Sequence, residues 1–184
     1  MKNEKIVLAS KSPRRKQILE MAEIDFEIIA EETDESYPEG MPIENVPVHI
    51  ALQKAKAIQS KHPARKILAA DTIVVLDNEI IGKPADKQDA INILTKLSGK
   101  THTVITGVVI LYNEQHISFA DMTEVTFVHL RPSQIEFYVE NYKPYDKAGA
   151  YAIQEWIGAI AIKNIHGCFY NVMGLPVSRL IPFL

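Results

Sequence analysis

Residues 6–22, IVLASKSPRRKQILEMA, place a short apolar run directly before two serines, a proline and two adjacent arginines. The run predicts a buried strand, and Ser12 can cap the next helix with Pro13 at its first position, where a missing N–H costs nothing. A helix N-terminus presents free N–H groups and a partial positive charge, so it attracts anions. Arg14 and Arg15 oppose that dipole. They therefore predict a phosphate site or, alternatively, a solvated pair.

Strand and helix patterns alternate along the rest of the chain. Apolar or alternating runs predict strands over residues 5–10, 26–30, 67–76, 102–112, 116–130 and 158–163. Periodic apolar residues predict helices after Ser12 and Asp86 and over residues 47–61, 134–142 and 174–181, and Ser133 with Glu136 predicts a capping box. A hairpin turn at Asp77–Asn78 implies antiparallel pairing beside parallel strands. We therefore predict a mixed-sheet α/β fold in one domain over residues 1–184.

Composition and charge narrow the class of protein. The 184 residues are 47% hydrophobic and carry a net charge of −3, which suits a domain with a real core and gives no sign of a nucleic-acid or membrane partner. The single cysteine, Cys168, excludes an intramolecular disulfide framework and a zinc site built from several cysteines. No apolar run of transmembrane length and no signal peptide is visible, so we expect a soluble cytoplasmic protein.

An aspartate stands in the middle of an apolar run. Asp71 and Thr72 interrupt ILAADTIVVL at residues 67–76, and a carboxylate there is costly unless its charge is used or compensated. Asp71 either faces a cleft from the end of a strand or pairs with a basic residue in the core. Strand ends of α/β proteins face ligand crevices, where a carboxylate can bind a divalent metal or accept a proton from water.

Other polar residues carry weaker signals when they are considered alone. Pro84 restricts Lys83 to an extended conformation. Lys54 lies on a lysine-rich predicted helix and by itself is typical of a solvated residue. Asp34 and Glu35 belong to an acidic loop that is either solvated or available for metal binding.

The stretch DKAGAYAIQEWIG at residues 146–158 combines small residues with one amide. Glycine permits close approach of backbone to a ligand. Gln154 offers one donor group and one acceptor, which can read the edge of a nucleobase. The chain contains no P-loop, no H-x-x-x-H pair and no G-x-S-x-G nucleophile elbow, which argues against the enzyme classes that depend on them.

Seven short motifs occur in order along the chain: LASKSPRR at 8–15, DES at 34–36, ADT at 70–72, GKP at 82–84, LSGKTHTVITGV at 97–108, DKAGAYAIQ at 146–154 and NVMGLP at 171–176. This set resembles the Maf family of nucleoside triphosphate pyrophosphatases over residues 5–182. The resemblance implies a mixed-sheet fold similar to the inosine triphosphatase family, with two lobes around a cleft. It implies hydrolysis of a triphosphate to the monophosphate and pyrophosphate, a divalent cation (Mg²⁺ or Mn²⁺) and a homodimer.

Residue matching to the family assigns roles within these motifs. The form DKAGAYAIQ resembles the subgroup acting on dTTP and UTP. The resemblance implies Asp71 as proton acceptor, and it implies Lys54 and Lys83 as further catalytic residues that line the phosphate cleft. The residues implied to bind substrate are Ser10, Arg14, Arg15, Thr72 and Gln154, of which Arg14, Thr72 and Gln154 are implied to set the base preference. The residues implied to hold the metal are Asp34, Glu35 and Asp71.

Several alternatives stay open at this stage. The family commonly has glycine after Gln154, whereas this chain has Glu155 followed by Trp156, which adds bulk and charge beside the base-reading position. Either member of the pair Asp34 and Glu35 can be the acting carboxylate. The substrate can be a standard or a modified pyrimidine nucleotide. The alternative function is a nucleotide-binding regulator of cell division without essential catalysis.

Overall fold

Seven strands and seven α-helices are interspersed along residues 5–184, which are the residues that the computed structural model describes. The strands are β1 (Ile6–Leu8), β2 (Phe26–Ile28), β3 (Ile67–Leu76), β4 (Glu79–Ile81), β5 (Thr101–Tyr112), β6 (Gln115–Phe127) and β7 (Ile162–His166). The helices are α1 (Pro13–Met21), α2 (Val46–Gln59), α3 (Lys87–Leu97), α4 (Pro132–Tyr142), α5 (Trp156–Ala161), α6 (Phe169–Met173) and α7 (Val177–Leu180). Single turns of 3-10 helix lie at Ile43–Asn45, Ala148–Ala150 and Ile181–Phe183.

The strands form one mixed sheet in the order β2-β1-β3-β5-β6-β7, and β4 pairs with β3 at its side. Strand β1 is parallel to both neighbours, with Val7 opposite Glu27 on β2 and opposite Ile67 on β3. Strand β4 runs antiparallel to β3, and β7 runs antiparallel to β6. The predicted mixed-sheet α/β fold is therefore confirmed.

Local sequence signals set several of the element ends as predicted. Ser12 caps α1, since its hydroxyl accepts from the Arg15 backbone N–H at 3.4 Å. Asp86 caps α3, with its carboxylate 2.8 Å from the Asp89 nitrogen. Asp77 and Asn78 both have positive φ and form the two-residue β3–β4 turn.

Two predictions in the C-terminal half were wrong. The helix predicted at 134–142 is present as α4, which begins at Pro132, but the predicted box of Ser133 with Glu136 is not the one formed: Gln134 Oε1 instead accepts from the Arg131 N–H at 2.9 Å. The strand predicted over 158–163 is largely α5, and β7 follows it. A short apolar run with few polar residues does not distinguish a helix from a strand.

None of the helices within residues 5–184 has both the length and the apolar character to cross a bilayer.

The chain packs as two compact units. The first unit comprises the described residues up to Thr72 together with 106–121 and 174–184, and the second comprises 73–105 and 122–173. Strands β3, β5 and β6 each run from one unit into the other. The organisation of residues 1–184 as a single domain stays a prediction.

In the first unit, α2 packs closely onto β1, β3 and β5. Ala51 and Ala55 of α2 are fully buried in a cluster with apolar residues of these strands. Gly107 on β5 lies directly under the start of α2, where an added Cβ would stand 2.2 Å from the Val48 nitrogen and 2.3 Å from the Pro47 carbonyl carbon. This close approach of backbone to backbone requires glycine. It also fixes the distance between α2 and the sheet, and therefore where the polar side chains of α2 lie relative to the strands.

The second unit contains a buried aromatic cluster around His102. Its ring packs edge-on against Phe127 at 5.0 Å and Tyr151 at 5.4 Å between centroids. The Nε2 atom lies 2.8 Å from the Tyr151 hydroxyl oxygen, and only 2% of the residue is exposed. Burial in this apolar setting lowers the pKa of His102 to about 4.

We expect the stability of the protein to fall as the pH drops from about 7 towards 4. The unfolded chain protonates its histidines near pH 6.5, whereas folded His102 stays neutral until about pH 4. The unfolded state therefore binds the extra proton first, and His102 alone lowers the free energy of unfolding by about 2–3 kcal/mol between pH 7.5 and 4.5. Urea unfolding of wild type and His102→Gln at both pH values measures this. An equal pH dependence in the two proteins would contradict the assignment.

Candidate active site

The loop from β1 into α1 is closed by its own serines. Ser10 is buried, and its hydroxyl accepts from the Ser12 backbone N–H at 3.2 Å. Ser12 in turn caps α1. Arg14 and Arg15 occupy the second and third positions of the helix, as the sequence predicts, and they point to different environments: Arg14 is half-buried and Arg15 is buried.

Arg15 donates from all three guanidinium nitrogens to groups of the protein. Nε lies 2.8 Å from the Gly174 carbonyl oxygen, Nη1 lies 3.1 Å from the Ser10 hydroxyl, and Nη2 lies 3.0 Å from the Thr72 hydroxyl. Burial lowers the pKa of the Arg15 guanidinium, while the nearby charge of Asp71 opposes that shift. Arg15 on α1 is therefore hydrogen-bonded to Ser10 before the helix, to Thr72 on β3 and to the backbone at Gly174.

The hydroxyl of Thr72 has a second partner. It lies 2.9 Å from the hydroxyl of Thr106 on β5, and Thr106 is fully buried. Gly174 passes close to the same point, since an added Cβ would stand 3.3 Å from the Thr72 oxygen, and its φ of +112° favours glycine. Sequence reasoning missed Thr106 and the Gly174 carbonyl. The only signals for them were a polar residue within an apolar strand and the quoted motif NVMGLP.

A lysine links two carboxylates beside this network. Nζ of Lys54, on α2, lies 2.7 Å from Asp71 Oδ1 and 2.7 Å from Glu35 Oε1. The side chains of Lys54 and Asp71 are 16% and 14% exposed, so the pair is largely buried but remains accessible to solvent. The three residues come from a helix, a strand and a loop, and the sheet and α2 bring them together.

The two residues of the acidic pair behave differently. Asp34 folds back on its own loop, where it accepts from the Ser36 backbone N–H at 2.8 Å and from the Ser36 hydroxyl at 2.7 Å. These hydrogen bonds lower the pKa of Asp34. Glu35 reaches Lys54 instead. Glu35 therefore shares the Lys54 ammonium with Asp71, whereas Asp34 is hydrogen-bonded within its own loop.

The carboxylates of Asp71 and Glu35 suit a divalent cation. Both already converge on one positive charge, the Lys54 ammonium, at 2.7 Å. Hard oxygen donors of this kind are what Mg²⁺ and Mn²⁺ take, and Mg²⁺ is often held by one or two carboxylates plus substrate phosphates. Within residues 5–184, no three Asp, Glu, His or Cys side chains surround a common point. The two carboxylates that converge on Lys54 are therefore the donors that fit a divalent cation here.

Two predicted site residues lie in the second unit. Lys83 is exposed just after β4, where the neighbouring Gly82 carbonyl accepts from the Gly149 N–H at 3.1 Å. Gln154 is exposed on a turn before α5. The structure thus unites Ser10, Arg15 and Thr72 in one network of the first unit, and Lys54, Glu35 and Asp71 in another.

Comparison with known proteins identifies the family. A family model described as "Maf-like protein" matches residues 5–184. A "dTTP/UTP pyrophosphatase" of Cytophaga hutchinsonii is 50% identical over 179 residues, which cover 97% of this chain and 82% of the relative. A protein of the same name from Porphyromonas gingivalis strain W83 is 48% identical over 184 residues, covering 98% and 92%. The chain belongs to the Maf family, as the ordered motifs predict.

The fold is also similar to a solved structure outside the close relatives. The Ham1 protein of Staphylococcus aureus matches with a TM-score of 0.50 at 12% identity, over 67% of this chain and 72% of that one. At this level of identity the likeness concerns the fold alone. It agrees with the α/β architecture that the ordered motifs imply.

Proposed function

We propose that this protein is a nucleoside triphosphate pyrophosphatase that hydrolyses dTTP and UTP to the monophosphate and pyrophosphate. The observation that carries the proposal is identity of 48–50% over nearly the whole chain to relatives named for this activity. Asp71 and Glu35, which both contact Lys54, support the proposal. Together the three residues offer a proton acceptor, oxygen ligands for a cation and a positive charge, which this reaction needs. We infer that the substrate is bound as its complex with a divalent cation.

Phosphoryl transfer depends on charge balance and alignment more than on covalent help from the protein. Asp71 accepts a proton from the attacking water, whose oxygen bonds to phosphorus as the phosphoanhydride bond to the bridging oxygen breaks. Lys54 and Lys83 balance charge that develops on phosphate oxygens. Glu35 and Asp71 would hold a divalent cation, which would supply positive charge against the phosphates and help to orient water.

Substrate binding divides between anion contacts and base contacts. Arg14 and the N–H groups at the start of α1 bind phosphate oxygens, since Arg14 is half-buried and Arg15 is directed inward. The resemblance implies that Thr72 and Gln154 set the base preference together with Arg14, so Arg14 contributes to both kinds of contact. An amide at Gln154 can donate to a carbonyl oxygen of uracil or thymine and accept from the ring N–H.

Homodimer formation and a cytoplasmic location stay predictions.

A panel of triphosphates tests the proposal. Purified protein is incubated with dTTP, UTP, CTP, GTP, 7-methyl-GTP and ITP, with Mg²⁺ or Mn²⁺ and with chelator, and pyrophosphate release is measured. We expect release led by dTTP and UTP that stops when the cation is removed, because the tail of about four negative charges is then unbalanced. A folded protein that releases no pyrophosphate from any triphosphate would contradict the proposed enzymatic function. Release led by another base would keep the reaction class and remove the proposed base preference.

A further inference from the structure

The exposed Gln154 side chain is displayed by a β-turn formed by residues 152–155. The Glu155 backbone N–H donates to the Ala152 carbonyl oxygen at 3.1 Å, which closes the turn around Ile153 and Gln154. Ala152 and Ile153 are buried, whereas Gln154 is exposed. The turn is thus anchored by its apolar residues and presents one amide at the surface.

A single buried hydroxyl joins both ends of this turn. Tyr138, on α4, is fully buried, and its hydroxyl oxygen accepts from the Ala152 backbone N–H at 3.2 Å. The same hydroxyl donates to Oε2 of Glu155 in a short hydrogen bond. A phenol can accept and donate at once. Tyr138 therefore connects the first and last residues of the turn that carries Gln154.

The carboxylate of Glu155 is itself held on its other side. Oε1 lies 3.6 Å from Nζ of Lys147, a buried lysine that also lies 2.8 Å from Asp146 Oδ1. The Glu155 carbonyl accepts from the Gly158 N–H at 2.9 Å, so α5 begins directly at the turn. Position 158 tolerates no side chain, since an added Cβ would stand 1.7 Å from the Ile153 carbonyl oxygen.

We propose that Tyr138 is a positioning residue for base selection: by bridging Ala152 and Glu155, its hydroxyl fixes the turn and so the direction of the Gln154 amide. This inference rests on the proposed function, in which Gln154 reads the base. An amide on a turn held at both ends loses little conformational entropy when it binds, and it discriminates between bases better than a mobile amide. Tyr138 acts through Gln154 and touches no substrate.

The test compares Tyr138→Phe with wild type on UTP and CTP. Removing only the hydroxyl is expected to lower the ratio of kcat/KM for UTP to that for CTP by about three- to tenfold, the usual effect of one hydrogen bond. The change should lie mainly in the KM for UTP. Tyr142→Phe is the matched control, since Tyr142 is on the same helix and stacks on Tyr138 at 4.9 Å; its ratio should stay at the wild-type value. An equal loss on both substrates would mean a purely structural role and would overturn the inference.

A second pair of variants serves if Tyr138→Phe does not fold. Glu155→Gln keeps an oxygen acceptor for the Tyr138 hydroxyl, whereas Glu155→Ala removes it. We expect the substrate ratio to be largely retained in Glu155→Gln and lowered in Glu155→Ala. A wild-type ratio in Glu155→Ala would overturn the inference.

Gln154→Ala separates this inference from the proposed function. If Gln154→Ala leaves the ratio unchanged, base reading by Gln154 fails and the inference fails with it. If Gln154→Ala lowers the ratio and Tyr138→Phe does not, the positioning role alone fails. If Tyr138 acts through Gln154, the double variant has no lower ratio than Gln154→Ala by itself, because the two effects are not independent. Additive effects would overturn the inference.

Discussion

Replacing Asp71 with asparagine is expected to lower kcat for pyrophosphate release from UTP by about 100-fold or more, with little change in KM. Asparagine keeps the size of the side chain but cannot accept a proton from water, and a positioned general base typically contributes about 10²- to 10⁴-fold. A group that acts only in the transition state changes kcat rather than substrate binding. The fold should persist, because Lys54 keeps its partner Glu35 at 2.7 Å.

Glu35→Gln is the matched control for this experiment. Glu35 holds the same Lys54 ammonium as Asp71 but is about half exposed, with 46% of its side chain accessible against 14% for Asp71. If Glu35 only helps to hold the cation, more Mg²⁺ restores activity in Glu35→Gln and does not restore it in Asp71→Asn. Steady-state kinetics over a range of Mg²⁺ concentrations, with circular dichroism to check folding, gives both answers. Wild-type kcat in folded Asp71→Asn would remove Asp71 from the role of base.

Local signals in the sequence predict much of the fold and few of the contacts within the site. Ser12, Asp86 and the Asp77–Asn78 turn act over two to four residues, and the structure places each as predicted. The Lys54–Asp71 contact, in contrast, joins residues 17 apart on a helix and a strand. No local pattern distinguishes Lys54 from the other lysines of its helix, and only the family resemblance indicated it.

The segment around Gly158 illustrates why one prediction failed. The run WIGAIAI at residues 156–162 is apolar with glycine as its third residue, which is compatible with a strand or with a buried helix. The glycine is required by the carbonyl of Ile153, five residues earlier, and not by a break in secondary structure. Tyr138 and Glu155 likewise meet across 17 positions, so the turn that they hold had no signature in the sequence.

The two adjacent arginines show most clearly what a local sequence pattern cannot predict. Consecutive residues of a helix point about 100° apart, so Arg14 and Arg15 face different directions, and the motif SPRR does not say whether one of them faces inward or which one. Arg15 is directed inward by partners far away in the chain, namely Thr72 at 57 residues and Gly174 at 159 residues. In this geometry Arg15 is hydrogen-bonded to the protein framework, whereas phosphate binding by Arg14 stays a prediction.

Arg15→Leu is therefore expected to destabilise the protein strongly, by about 3 kcal/mol or more in the free energy of unfolding. Three acceptors each lose one donor: the Gly174 carbonyl and the hydroxyls of Ser10 and Thr72. Each buried hydrogen bond to a charged group contributes about 1.5–3 kcal/mol, and removal also leaves the charge of Asp71 less balanced. Arg15→Lys should recover only part of the loss, since one ammonium cannot replace a planar fork that serves three separate acceptors.

Arg14→Leu, one residue earlier on the same helix, is the matched comparison. Because Arg14 is half-buried and assigned to phosphate, we expect a change in stability of about 1 kcal/mol or less and a rise in KM for UTP of about tenfold. Urea unfolding and steady-state kinetics on the two variants separate the roles. If Arg15→Leu were as stable as Arg14→Leu and only its KM rose, Arg15 would be a phosphate ligand after all, and its inward contacts with Ser10 and Thr72 would have to open when substrate binds.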